Sequence, residues 1–121
     1  VIYLKHNKTK TFVILDAAMN DLIRPALYNA KHKIIPSRKN RSRSKKTLEF
    51  VGPVCETTDK FLTEKNFQNI KENDIVIIRD TGAYGYSLSS NYNLRVKPAE
   101  ILVNGLKVQL IRKRQKISNI I

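Results

Sequence analysis

Cys55 is the only cysteine in this chain, and Glu56 follows it directly in Gly52-Pro53-Val54-Cys55-Glu56-Thr57-Thr58-Asp59. A thiol can act as a general acid, and a carboxylate beside it can hold a cationic group of a substrate. By residue type alone, the commoner fate of a free cysteine is to pack as a small hydrophobe beside a surface glutamate. Arg24 and Tyr28 are four residues apart in Arg24-Pro25-Ala26-Leu27-Tyr28, which places them on one side of a helical turn. The planar guanidinium fork matches a carboxylate, and the phenol adds a neutral donor. Arg and Tyr at that spacing are also an ordinary surface pair. Gly82-Ala83-Tyr84-Gly85 sets a phenol between glycines, where the backbone can approach a ligand and the hydroxyl can donate to a phosphate. Glycine around tyrosine is equally ordinary in β-bends, and the spacing is that of neither a Walker loop nor a dinucleotide loop. His6 and His32 have no partner at metal-ligand spacing and read as structural or surface residues, so a zinc site is not expected. No Ser-His-Asp ordering stands out.

These residues need elements to position them, and the chain reads as mainly β. Val1-Ile2-Tyr3-Leu4 and Thr11-Phe12-Val13-Ile14-Leu15 are β-branched and aromatic runs around Asn7-Lys8-Thr9-Lys10, a hairpin pattern. From Asp16 to Arg24 the pattern changes; Asp16 or Asn20 is suited to cap a short helical turn, which Pro25 would limit. His32 to Ile35 reads as a strand ended by Pro36. Ser37 to Lys46 contains no apolar residue and reads as an exposed loop. Leu48-Glu49-Phe50-Val51 alternates weakly, and a helical turn is expected somewhere between Asp59 and Phe67. Asp74-Ile75-Val76-Ile77-Ile78-Arg79 is the clearest strand, its apolar run suggesting burial on both faces. Ser87 to Asn93 is polar. Glu100 to Val103 and Lys107 to Ile111 flank Asn104-Gly105, a favoured hairpin dipeptide. Residues 116–121 suit a short helical turn. Short strands at close spacing with little helix predict an antiparallel, Greek-key-like β-barrel or sandwich with short helical turns.

A chain of 121 residues with 41% hydrophobic content suits a single domain spanning 1–121. No stretch approaches the ~20 apolar residues of a membrane span, and the first residues read as a strand rather than a secretory signal. A start on Val rather than Met suggests a piece of something longer. A single thiol allows no internal disulfide and fits a reducing, cytoplasmic setting. The net charge is +13, concentrated in Arg38, Lys39, Arg41, Arg43, Lys45 and Lys46 and again in Arg112, Lys113, Arg114 and Lys116. Such runs suit nucleic-acid backbones, so a basic β-barrel that binds nucleic acid is the alternative reading. The first run has no interleaved aromatic residue for base stacking, and blocks of like charge are usually solvated loops.

Taken together and in order, the motifs are specific. Asp16-Ala17-Ala18-Met19-Asn20-Asp21-Leu22-Ile23-Arg24-Pro25-Ala26-Leu27-Tyr28, Gly52 to Asp59 as quoted, Asp80-Thr81-Gly82-Ala83-Tyr84-Gly85, Ser89-Ser90-Asn91-Tyr92-Asn93 and Pro98-Ala99-Glu100-Ile101-Leu102-Val103 succeed one another along nearly the whole chain. This closely resembles the C-terminal part of the diaminopimelate decarboxylase family, within the pyridoxal-phosphate decarboxylases of the alanine-racemase type.

The resemblance implies a C-terminal β domain whose enzyme also has an N-terminal (β/α)8 barrel carrying the cofactor on a lysine. It implies removal of one carboxylate of meso-diaminopimelate to give L-lysine, in a homodimer with active sites shared across the interface. Cys55 matches the family's proton donor, delivered into the partner's site. Arg24, Tyr28 and Glu56 match substrate contacts, and Tyr84 matches a contact of both substrate and pyridoxal 5'-phosphate. The residue types agree: Arg24 with Tyr28 suits a carboxylate, and Glu56 suits an ammonium. A glutamate after the cysteine separates this pattern from related diamine-forming decarboxylases, which tend to have aspartate there. The chain departs from the pattern in three ways. A barrel needs ~250 residues, so it is absent from this chain together with the cofactor lysine. Residues 37–46 are far more basic than the family leads one to expect, and Lys31 stands where an aromatic is expected.

Overall fold

The first hairpin forms where the β-branched runs place it. In the computed structural model, which describes residues 1–121 save the side chain of Ala83, Tyr3–His6 (β1) pairs antiparallel with Lys10–Ile14 (β2). Asn7 closes the turn, its Oδ1 accepting the backbone N–H groups of Thr9 at 3.0 Å and Lys10 at 2.7 Å in place of a backbone turn. Thr47–Val51 (β4) then lies parallel to β2 and antiparallel to Lys60–Glu64 (β5), giving a four-stranded sheet in the order β1-β2-β4-β5. The parallel pair departs from the all-antiparallel expectation. Parallel neighbours need a long crossover, and here it carries Arg24–Tyr28 (α1) and Ile34–Pro36 (β3).

A second sheet pairs β3 with Val76–Ile78 (β6), antiparallel. The core lies between the two sheets. Val13, Leu15, Leu22, Leu48, Phe50, Phe61 and Phe67 fill it with Ile34, and Val76 and Ile78 pack against them. Phe50 and Phe67 meet edge to face, centroids 5.1 Å apart at 63°. The sheets stay separate rather than closing, so the sandwich form of the expectation is the one adopted.

Several local expectations are corrected. Pro25 opens α1 instead of ending a helix before it, because a missing N–H and a fixed φ suit the first turn. The stretch expected to hold a helical turn between residues 59 and 67 is β5. The apolar run 74–79 is not doubly buried: only Val76–Ile78 pair, on a two-stranded edge, and Ile75 and Ile77 are exposed. Residues around Tyr84 form a helix, Gly82–Ser87 (α2), not a β-bend. Residues 37–46 are an exposed loop as expected, but their backbone is tied down. Ser44 N–H donates to Phe67 O at 2.6 Å, Asn69 N–H to Ser42 O at 2.9 Å, and Gln68 Nε2 to Arg38 O at 2.8 Å.

The last hairpin joins Glu100–Asn104 (β7) and Lys107–Arg112 (β8) in the expected place. Asn104 is the last strand residue, however, and the turn is Gly105-Leu106, with Gly105 at φ +58. Arg112 Nε on Glu100 Oε2 at 2.5 Å closes the base of the hairpin, and the Arg112 guanidinium 3.9 Å over the Tyr86 ring ties it to α2. A short 3-10 turn, Ile117–Asn119, follows. Among the described residues no helix is long and apolar enough to cross a membrane.

Candidate functional site

The loop from β4 to β5 carries the thiol, and its shape is set by one buried carboxylate. Asp59 is 3% exposed. Its Oδ2 accepts Val54 N–H at 2.9 Å and its Oδ1 accepts Met19 N–H at 2.8 Å. A Cβ at Gly52 would lie 2.2 Å from Asp59 Oδ2, so only glycine leaves the carboxylate its place. Burial pushes the Asp59 carboxyl up, while the two N–H donors and the nearby Arg95 oppose that shift. Val54 is thereby held inward, and Cys55 next to it points to solvent. The thiol is therefore not a packed hydrophobe. Glu56, one residue on, is also exposed, and its Oε1 accepts a hydrogen bond from the Tyr92 hydroxyl.

Arg24 and Tyr28 come from α1 and Tyr84 from α2. Arg24 Nε donates to the Tyr28 hydroxyl, and the guanidinium lies 5.5 Å from the Tyr28 ring centre and 5.6 Å from that of Tyr84. The helical spacing expected for Arg24 and Tyr28 thus does place them together, and the fold adds Tyr84. Both tyrosines remain more than half exposed, leaving the three side chains open to a ligand. Ala83, quoted in the same motif, has its side chain outside the described residues.

The candidate residues form two groups: Arg24 with Tyr28 and Tyr84, and Cys55 with Glu56. Among the described residues no hydrogen bond, ion pair or ring contact joins the groups. What joins their supports is the turn at Ala18–Asp21. Met19 N–H holds Asp59 and thus the thiol loop, and the turn runs on directly into α1. Asn20, 2% exposed, holds the segment that bears Tyr92: Ser90 N–H donates to Asn20 O at 2.9 Å, and Asn20 Nδ2 donates to Ser90 O at 3.3 Å. Arg95 Nε donates to Asn20 Oδ1 at 2.8 Å, and its Nη2 lies 3.8 Å from Asp21 Oδ2. Burial raises the Asp21 carboxyl, against the Ala18 N–H and Arg95.

Residue type marks Asn20 only as a helix cap, a role it does not take, since α1 has no side-chain cap, and it marks Asp59, Tyr92 and Arg95 not at all. Asn20, Asp59 and Tyr92 sit inside motifs quoted above, but their partners are up to 75 residues away along the chain, so no local pattern exposes them.

The class of protein follows from this architecture and from comparison with known families. Residues 1–82 match the family described as pyridoxal-dependent decarboxylase, C-terminal sheet domain, and the chain belongs to that family. Among individual proteins, it is 48% identical over 120 residues to a diaminopimelate decarboxylase of Vibrio cholerae, and 42% identical over 121 residues to one of Aquifex aeolicus. It covers 99% and 100% of itself in these matches but only 28% and 29% of the relatives' length. A crystal structure of the Helicobacter pylori diaminopimelate decarboxylase complexed with L-lysine superposes with a TM-score of 0.86 at 41% identity, covering 98% of this chain and 29% of that one. A lysine decarboxylase from Selenomonas ruminantium, at 20% identity and a TM-score of 0.64, shares the fold. The nucleic-acid reading gains no support from these relatives.

Proposed function

We propose that this chain is the C-terminal β domain of a diaminopimelate decarboxylase, an enzyme converting meso-diaminopimelate to L-lysine and CO2. The observation that carries the reading is an exposed thiol on a loop locked by Asp59, with an exposed carboxylate directly after it. The domain covers residues 1–121, and the N-terminal (β/α)8 barrel lies outside it. The family depends on pyridoxal, and the residues present fit a minor share of that cofactor. The exposed Tyr84 phenol can donate to a phosphate oxygen. Neither α1, α2 nor residues 52–59 carry a lysine, so the residue that anchors the cofactor comes from elsewhere.

Pyridoxal phosphate, when bound, supplies a ring that accepts the electron pair left by the departing carboxylate. Cys55 then hands its proton to the carbon that has lost CO2. Arg24, steadied by Tyr28, binds the distal carboxylate of the substrate through its guanidinium, and Glu56 binds the distal ammonium. In this reading the two groups, which no hydrogen bond, ion pair or ring contact joins among the described residues, meet in a working site built from different subunits of a homodimer. An exposed thiol fits a reducing cytoplasm.

The test is Cys55→Ala in the full enzyme that includes this chain. Turnover of meso-diaminopimelate to L-lysine should fall at least about a hundredfold with little change in KM. The chain alone, with pyridoxal phosphate, should form no lysine. Full turnover by the alanine variant, or lysine formation by the isolated chain, would overturn the assignment.

A further inference from the structure

Glu56 and Tyr92 come from segments far apart in sequence, each anchored on a different buried side chain. The Glu56 loop is fixed by Asp59. The 3-10 turn Tyr92–Leu94 is fixed by Asn20, through Ser90 on one side and Arg95 on the other. Asn91 tightens the same turn, its Nδ2 donating to Arg95 O at 2.8 Å. The two anchors are adjacent in the turn at residues 18–21, which receives Asp59 at Met19 N–H and Ser90 at Asn20. The approach of the phenol to the carboxylate is therefore set by the framework, although both side chains reach into solvent.

We propose that Tyr92 is a positioning residue for substrate recognition: its hydroxyl donates to Glu56 Oε1, fixes the carboxylate plane and leaves Oε2 for the ammonium of a diamino acid. This rests on the reading of Glu56 as the group that meets that ammonium. A free glutamate on an exposed loop samples several rotamers, and ordering it on ligand binding costs side-chain entropy. A phenol already bound to one oxygen removes much of that cost in advance. A phenol suits the task because it donates one hydrogen bond without bringing a charge that competes with the ammonium. The neighbouring Glu56 carboxylate pushes the Tyr92 phenol above its ordinary value, which keeps the proton in place as pH rises.

The test compares wild type, Tyr92→Phe, Glu56→Gln and the double variant in the full enzyme, with meso-diaminopimelate as substrate. The phenylalanine variant keeps the ring and loses the donor. It should raise KM about tenfold while kcat falls by no more than about threefold. In the Glu56→Gln background, the same change should move KM less than about twofold, because the charged carboxylate that the phenol orients toward the ammonium is already gone, although the amide oxygen can still accept from the phenol. If Glu56→Gln raises KM and Tyr92→Phe leaves it within about twofold, the inference falls and the proposed function stands. A Tyr92→Phe effect on KM that persists undiminished beside Glu56→Gln also overturns it. If Glu56→Gln leaves KM unchanged, or the wild type does not decarboxylate this substrate, the proposed role of Glu56 falls and the inference with it.

Discussion

Gly52→Ala should be among the most damaging single-methyl changes available in this domain. The reason is space, since Gly52 does not adopt a positive φ. An added Cβ would lie 2.2 Å from Asp59 Oδ2, 2.4 Å from Oδ1 and 2.5 Å from Cγ. Carboxylates at the surface can swing aside cheaply, but this one is 3% exposed and both its oxygens are engaged, by Val54 N–H at 2.9 Å and Met19 N–H at 2.8 Å. Moving it breaks both bonds and leaves buried donors unpaired. At about 1.5–3 kcal/mol for each hydrogen bond to a charged group, losing both costs about 3–6 kcal/mol. Urea unfolding followed by circular dichroism measures it, and hydrogen exchange at the Met19 and Val54 amides locates it. In an Asp59→Ala background, which has already lost the carboxylate, Gly52→Ala should add less than about 1 kcal/mol. A loss below about 1 kcal/mol in the wild-type background, or full additivity of the two changes, would refute this account of the thiol loop.

Two further stability predictions concern the sheet beneath the site. Phe50 is fully buried and meets Phe67 edge to face, so Phe50→Ala should cost about 3–5 kcal/mol in urea unfolding; a loss under about 1.5 kcal/mol contradicts it. Glu49 lies between Lys10 at 2.6 Å and Lys60 at 3.1 Å. Burial opposes its ionisation, but the two ammoniums prevail and hold its carboxyl below the ordinary value of 4.5. Its contribution is therefore present above that value and lost as pH falls through the lower folded one. Glu49→Gln should cost about 1 kcal/mol at neutral pH, and the difference from wild type should fade in acid; a difference that does not change with pH refutes it. Asp21 and Asp59 work in the opposite sense. Burial raises their carboxyls, so ionising them costs the folded state: that part of the stability is fully present below the ordinary 3.8 and lost as pH rises through their folded values, while the N–H bonds they accept are a separate contribution.

The sequence by itself determined where the hairpins lie. The runs around Asn7 and Gly105 pair as their β-branched residues dictate, since turn chemistry and alternation act between near neighbours. It also determined the family, through the order of motifs that no single one of them could establish. Arg24 and Tyr28 are legible as a pair because helical spacing is local, whereas the place of Pro25 is not: proline is excluded from a helix interior but welcome in its first turn. The run 74–79 is not buried on both faces as its composition suggests, because an apolar stretch carries no information on which neighbours will cover it, and here it is one strand of a two-stranded sheet.

Tertiary structure alone decided that Cys55 is exposed. Its environment depends on Asp59 reaching back to Val54 and across to Met19, contacts for which no residue type or periodicity provides a signal. The same holds for Tyr92 meeting Glu56, 36 residues earlier, and for Tyr84 joining Arg24. Composition and spacing could name the groups able to do chemistry. Their orientation was settled by buried polar side chains, Asn20 and Asp59, because a buried donor or acceptor must find a partner and so fixes the backbone that carries it.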